Sequence, residues 1–95
     1  MEIKVLGAGQ LEIKGLIKSI NDVELIKDTI SKQLTNNYIK LRIIDSFAIP
    51  SSILGYLIKL KAEGVKISME VGDEGLYELL SDLNVIDEFD IQKIR

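Results

Sequence analysis

The sequence predicts a two-layer α/β fold, in which a mixed, mostly parallel sheet carries all of its helices on one face. Three observations support this prediction. The 95 residues, of which 46% are hydrophobic, suit one compact domain over residues 1–95 with an aliphatic core. Strand-like and helix-like apolar periods follow one another in the order β-β-α-β-α-β-α, with one more short strand at the end. Several strands keep one charged face, which strands covered by helices on both sides do not.

The first two strands are predicted to form a hairpin. Apolar and charged residues alternate over residues 2–6 and again over residues 11–18, with "GAGQ" at residues 7–10 between the two runs. Gly7 and Gly9 would also suit a phosphate-binding loop, but such a loop opens into a helix, and here a second strand follows. We therefore interpret the glycines as part of a hairpin turn.

The remaining elements are predicted from the period of their apolar residues and from the residues at their ends. Predicted helices cover residues 21–34, 51–63 and 73–83. Predicted strands cover residues 38–44, 65–71 and 88–94. The expected caps are Asn21 or Asp22 for the first helix, Asp73 or Glu74 for the third, and Gly64 at the end of the second. Successive βα units of this kind imply parallel strands joined by right-handed crossovers.

The charged side chains of these strands predict a helix-free face of the sheet. They alternate with the apolar residues of the same strands, and so they point to the opposite side. We expect this face to be exposed to water and all the helices to pack on the other face, which disfavours a doubly wound fold. The residues concerned are Lys14, Lys40, Arg42, Lys66 and Glu70.

The composition argues against several classes of function. The chain has no cysteine and no histidine, which removes disulfides, Cys/His metal sites, thiol nucleophiles and histidine acid–base catalysis. Its net charge of −3, without a basic patch, argues against nucleic acid binding. No signal peptide or membrane-spanning run is evident, so we expect a cytoplasmic protein. The carboxylates do not converge, and we expect neither an enzyme nor a bound metal or cofactor.

Four stretches of the chain resemble the STAS domain, which occurs in anti-sigma factor antagonists and sulfate transporters. "IKGLIKSINDVELIKDTI" at residues 13–30 is similar to that family's second strand, glycine and first helix. "IPSSILGYLIKL" at residues 49–60 is similar to its phospho-acceptor loop and helix, and "GVKISMEV" at residues 64–71 to its fourth strand. "LYELLSDLNVIDEFDI" at residues 76–91 is similar to its third helix and closing strand. The resemblance covers nearly the whole chain.

The resemblance implies a phospho-acceptor serine and places it in two alternative registers. Aligned on the Leu-Gly pair of the second helix, the family pattern puts its acid on Pro50 and its serines on Ser51 and Ser52. Aligned on "IDSF", it keeps the Asp-Ser pair at Asp45 and Ser46, with the proline in the first turn of the helix. Neither register keeps the whole pattern, so all three serines remain candidate acceptors.

A serine at the start of the second helix has two interpretations. It is an N-cap whose hydroxyl accepts a backbone hydrogen bond, worth about 1 kcal/mol. Alternatively it caps the helix and also accepts a phosphate, whose charge a helix N-terminus favours. The sequence alone leaves both interpretations open.

A helical wheel over residues 51–63 separates a buried arc from a narrow exposed stripe. The expected buried arc is Ile53, Leu54, Leu57, Ile58 and Leu60. The expected partner-binding stripe is Ser52, Tyr56, Lys59 and Glu63. An exposed tyrosine there either anchors a partner or is an ordinary surface residue.

The resemblance implies a small bacterial regulatory protein, an anti-sigma factor antagonist that binds a protein partner such as an anti-sigma kinase and is switched by serine phosphorylation. The alternative is a STAS-like scaffold or accessory subunit of a larger complex, for example a transport assembly, without phosphorylation. A third class is a small-ligand binder or enzyme on the same fold. A serine kinase encoded next to this chain would favour the first alternative, and transporter subunits the second.

Overall fold

The computed structural model describes residues 1–34, 36–83 and 89–94. Its elements follow the predicted order. The strands are β1 (Glu2–Gly7), β2 (Gln10–Lys14), β3 (Tyr38–Ile43), β4 (Lys66–Val71) and β5 (Asp90–Lys93). The helices are α1 (Ile20–Gln33), α2 (Ser51–Ala62) and α3 (Glu74–Asp82). Glu88, the predicted first residue of the last strand, lies outside the described residues.

The strands form one five-stranded mixed sheet in the order β1-β2-β3-β4-β5. β1 and β2 are the antiparallel hairpin, and β2, β3, β4 and β5 are parallel neighbours. Each crossover moves one strand in the same direction across the sheet, so right-handed connections place all three helices on one face. The predicted α/β order is confirmed, and the sheet and helices fit a two-layer arrangement.

The core lies between the helices and one face of the sheet. The strand residues on that face are nearly inaccessible, and they are Leu11, Ile13, Ile39, Leu41, Ile43, Ile67, Met69, Val71 and Ile91. Each helix contributes apolar residues to the same cluster, for example Ile26 of α1, Leu57 of α2 and Leu76 of α3. This arrangement follows directly from the alternation of the strands and the three-to-four spacing of the helices.

The opposite face carries the charged residues, but it is less exposed than expected. Lys14 and Lys66, near the ends of their strands, are exposed. Lys40, Arg42 and Glu70 are only half-buried, because they lie side by side over the central strands. Cross-strand neighbours of opposite charge shield one another from water in such positions.

Two predicted boundaries were wrong: β2 ends earlier in the chain than predicted, and α1 begins earlier. β2 stops at Lys14 rather than continuing to residue 18, since Gly15 has a φ of 90° and turns the chain. The N-cap of α1 is Ser19, not Asn21 or Asp22. Its hydroxyl accepts a hydrogen bond from the Asp22 amide, and the Asp22 carboxylate accepts one from the Ser19 amide, which makes a capping box.

The helical wheel assigned most residues of α2 to the correct face, but it was wrong for Ile58 and Tyr56, at the two edges of the buried arc. Leu57 is fully buried, as expected. Ile58, expected in the core, is 45% exposed, whereas Tyr56, expected in water, is half-buried against the core. The buried arc therefore extends to Tyr56 rather than to Ile58, and the Lys27 ammonium of α1 lies over the Tyr56 ring.

Candidate functional site at the carboxyl edge of the parallel strands

The candidate site is the edge of the sheet where the parallel strands end. The loop after β2 (residues 15–19), the loop after β3 (residues 44–50) and the turn after β4 (residues 72–73) meet there. In open α/β sheets, ligands bind outside the carboxyl ends of the strands. The edge contains all three candidate serines, Ser46, Ser51 and Ser52.

Two side chains of the loop after β3 hold it against the loop after β2. The Asp45 carboxylate accepts a hydrogen bond from the Gly15 amide at 2.7 Å. The Ser46 hydroxyl accepts one from the Ile17 amide at 3.3 Å and donates one to the Ala48 carbonyl at 2.7 Å. Asp45 and Ser46 therefore both have a structural role, because each binds an amide of the loop after β2.

Ser46 is fully buried, with a relative exposure of 0%. A kinase needs access to the serine hydroxyl, which here is enclosed and already both donates and accepts a hydrogen bond. Phosphorylation of Ser46 would therefore require the two loops to separate. The structure thus leaves Ser51 and Ser52 as the accessible candidates, since both are exposed.

We expect Ser46→Ala to lower the free energy of unfolding by about 1–3 kcal/mol, because it leaves the Ile17 amide without its partner in a buried place. Ser51→Ala is the matched control and should change stability by less than about 0.5 kcal/mol, since Ser51 is exposed. Urea denaturation of both variants measures the difference. Equal effects of the two changes would contradict the structural role of Ser46.

The start of α2 differs from the expected serine cap. Pro50 is the N-cap residue, and no side chain caps the helix. The Pro50 carbonyl accepts hydrogen bonds from the amides of Ile53 and Leu54, so Ser51 and Ser52 form the first helical turn itself. Proline favours the extended conformation found here and cannot supply a side-chain acceptor.

This helix start is electrostatically suited to an anion. The first turn of α2 contains no acidic residue, unlike α1 with Asp22 and α3 with Glu74. The positive end of the helix dipole is therefore not compensated by a side chain of the first turn. A phosphate on Ser51 or Ser52 would lie where both the dipole and the amides of the first turn favour negative charge.

Two exposed apolar residues near this edge were not identified from the sequence as site residues. Phe47, in the loop after β3, is 63% exposed, and Ile20, the first residue of α1, is 80% exposed. The loop that carries Phe47 and the loop that leads into Ile20 are joined by the hydrogen bond between Ser46 and Ile17. Large exposed apolar side chains are typical of protein–protein contacts. The available signal for Phe47 was its place in the loop between two predicted elements. Ile20 gave no such signal, because it lies three residues before Val23 and continues the apolar period of α1.

The predicted partner-binding stripe of α2 is present but modified. Ser52, Lys59 and Glu63 are exposed, whereas Tyr56 is half-buried. The Lys27 ammonium of α1 lies 5.8 Å from the centre of the Tyr56 ring, close enough for a cation–π contact. Burial raises the pKa of the Tyr56 phenol, and the charge of Glu63 adds to this effect. The stripe therefore continues onto α1 through Lys27.

The carboxylates of α3 stabilise structure rather than form a reactive cluster. Asp73 is the N-cap, as predicted among two alternatives, and its carboxylate accepts a hydrogen bond from the Leu76 amide at 2.9 Å. Glu74 accepts a hydrogen bond from Lys93 of β5 at 2.9 Å, which holds the pKa of Glu74 below its ordinary value. In the part of the chain that the structure describes, no three metal-binding side chains lie together.

Comparison with known proteins identifies no relative of this chain. No protein family, no curated protein and no solved structure matches the chain. Among the described helices, none has the length and apolar character needed to cross a membrane.

Proposed function

We propose that this chain is a STAS-like regulatory module that acts by binding a protein partner at the carboxyl edge of its parallel strands. Its partner is a serine kinase of the anti-sigma type, and the control point is Ser51 or Ser52. A phosphate added there prevents the partner from binding. The observation that carries the proposal is an exposed serine pair on an uncapped helix start, close to the exposed Phe47.

The rigidity of the edge supports a binding role. Asp45 and Ser46 accept hydrogen bonds from the loop after β2, and the Ser46 hydroxyl also donates one to the Ala48 carbonyl. Hydrogen bonds therefore hold the backbone on both sides of Phe47. A rigid apolar anchor loses little conformational entropy when a partner covers it. An exposed phenylalanine in a mobile loop would lack this advantage.

The electrostatics of the helix start support the switch. Phosphorylation of Ser51 or Ser52 places about two negative charges where the isolated protein tolerates them, because the helix dipole stabilises them. A partner that covers this place would bury the same charges, which costs several kcal/mol unless the partner supplies matching cations. Phosphorylation would therefore weaken partner binding far more than it would change the stability of the isolated protein.

The second candidate function is a scaffold subunit without phosphorylation, for example in a transport assembly. The observation that favours it is the structural use of Asp45 and Ser46, the only Asp-Ser pair in the chain. In this case Phe47 still binds a partner, but neither Ser51 nor Ser52 is modified. The two candidates share a surface and differ in its regulation.

Affinity capture with the wild-type chain and with a Phe47→Glu variant as matched baits tests the proposal. The partner should be retained by the wild type and lost by the variant, and the purified partner should then bind the wild type directly. A serine kinase that phosphorylates Ser51 or Ser52 supports the regulatory function, and a transporter subunit supports the scaffold. A partner that binds both baits equally would place the interface elsewhere.

A further inference from the structure

A small cavity lies on the charged face of the sheet, on the side away from the helices. Its volume is about 110 Å³, and its lining includes Leu6, Gln10, Lys40, Arg42 and Glu70. Leu6 reaches it from the irregularity in β1, where the pairing with β2 shifts between Val5 and Gly7. The cavity is thus bounded by three central strands and by the end of the hairpin.

The guanidinium of Arg42 has an unused donor in this region. Its Nε atom is buried and has no hydrogen-bond partner among the described residues. In the register of the sheet Arg42 lies between Glu12 of β2 and Glu70 of β4, either of which would be the expected acceptor. Glu70 instead forms an ion pair with Lys40 at 3.2 Å. Buried polar groups in native proteins are nearly always paired with protein or water, so this donor is available to an acceptor from outside the chain.

The charges around the cavity favour an anion. Lys40 and Arg42 contribute two cations to the lining and Glu70 one anion. Glu12, opposite Arg42 in β2, is not a lining residue. The lining is therefore positive although the whole chain has a net charge of −3. The Nε–H and a neighbouring Nη–H of arginine form a planar pair of donors that matches two oxygens of a carboxylate or phosphate. Gln10 offers a further amide donor at the same place.

We propose that this cavity binds a small oxyanion, a carboxylate or phosphate group, through the Nε edge of Arg42 and the ammonium of Lys40. Leu6, which is 45% exposed, provides an apolar wall for the part of the molecule that carries the oxyanion. The site lies on the opposite side of the sheet from the helices and is independent of the proposed partner-binding edge. It uses residues that neither the core nor the switch requires.

NMR titration of the ¹⁵N-labelled chain tests the proposal, because the Nε–H of a buried arginine gives a resolvable signal. The probes are inorganic phosphate, acetate and hexanoate, each at constant ionic strength with chloride as the reference anion. We expect the Arg42 Nε–H and the Lys40 and Gln10 amides to shift with millimolar affinity. A stronger effect of phosphate than acetate identifies a phosphate site, and the reverse a carboxylate site. Tighter binding of hexanoate than acetate supports the apolar wall at Leu6.

Three variants distinguish a specific anion-binding site from non-specific electrostatic attraction. Arg42→Lys keeps the charge but removes the planar donor pair, and it should weaken binding at least fivefold. Lys66→Gln removes an exposed cation from the same face and should leave the affinity unchanged. Glu70→Gln removes the competing carboxylate and should strengthen binding. The amide spectrum of each variant shows whether it is folded.

The proposal is contradicted if no oxyanion shifts the Arg42 signal more than chloride does. It is also contradicted if Arg42→Lys and Lys66→Gln weaken binding equally, since the effect would then depend on net charge alone. Should Arg42→Lys fail to fold, Glu70→Gln decides the question. Unchanged or weaker binding by this variant would exclude Lys40 and Arg42 as the recognition groups.

Discussion

Gly72→Ala is expected to lower the free energy of unfolding by about 3 kcal/mol. A Cβ atom at position 72 would overlap the backbone carbonyl of Ile44, which cannot move aside as a side chain can. The Gly72 amide also donates a hydrogen bond to the Ile43 carbonyl at 2.8 Å, and any shift that relieves the overlap weakens this bond. The effect is steric, because the backbone conformation of Gly72 is open to other residues.

Gly55→Ala is the matched control with the opposite sign. Gly55 lies in the middle of α2, and a Cβ there would meet no atom. Alanine should therefore stabilise the chain by about 0.5–1 kcal/mol through its higher helix propensity. Urea denaturation of both variants provides the comparison. If Gly72→Ala is as stable as the wild type, the close contact between Gly72 and Ile44 is not as described.

Leu57→Ala is expected to cost about 2–5 kcal/mol, because the side chain is fully buried between α2 and the sheet and its removal leaves a cavity. Tyr56→Ala should cost about 1 kcal/mol, since it removes a half-buried ring and its contact with Lys27. Thermal and urea unfolding measure both values. A larger cost at Tyr56 than at Leu57 would mean that the helix is rotated from the orientation described.

The sequence predicts the order of elements well because each strand and helix displays its own apolar period. The alternating residues of β4 and the three-to-four spacing of α3 show which side chains of each element are buried. This pattern can be read from each segment of the sequence by itself. The rotation of α2 is not local. A wheel orders the side chains around the helix, but only the packing of the whole fold places Tyr56 against the core and near Lys27 and leaves Ile58 exposed.

The candidate site was less predictable for the same reason. Ser46 and Ile17 are 29 positions apart, and only the fold brings the hydroxyl to the amide. A serine before a helix is a common N-cap, so Ser51 and Ser52 were expected to cap α2. The N-cap is instead Pro50, one residue before Ser51, so both hydroxyls lie within the first helical turn and outside the cap position. The capping box at Ser19 had a sequence signal, namely an acidic residue three positions later.

The proposed switch is tested most directly by comparing the stability and the partner affinity of Ser51→Asp and Ser52→Asp with those of the wild type. Both variants should keep the melting temperature nearly unchanged, because their carboxylates lie in the first turn of α2, where the dipole favours them by about 0.3–1 kcal/mol. Ser46→Asp is the contrasting variant and should unfold the protein, since it buries a charge.

The decisive measurement is isothermal titration of the purified partner against the wild type, Ser51→Asp, Ser52→Asp and the uncharged controls Ser51→Asn and Ser52→Asn. The account predicts that at least one aspartate variant binds at least tenfold more weakly, about 1.4 kcal/mol, while its asparagine counterpart binds like the wild type. If both aspartate variants bind with wild-type affinity and the partner transfers no phosphate to Ser51 or Ser52, the switch is contradicted.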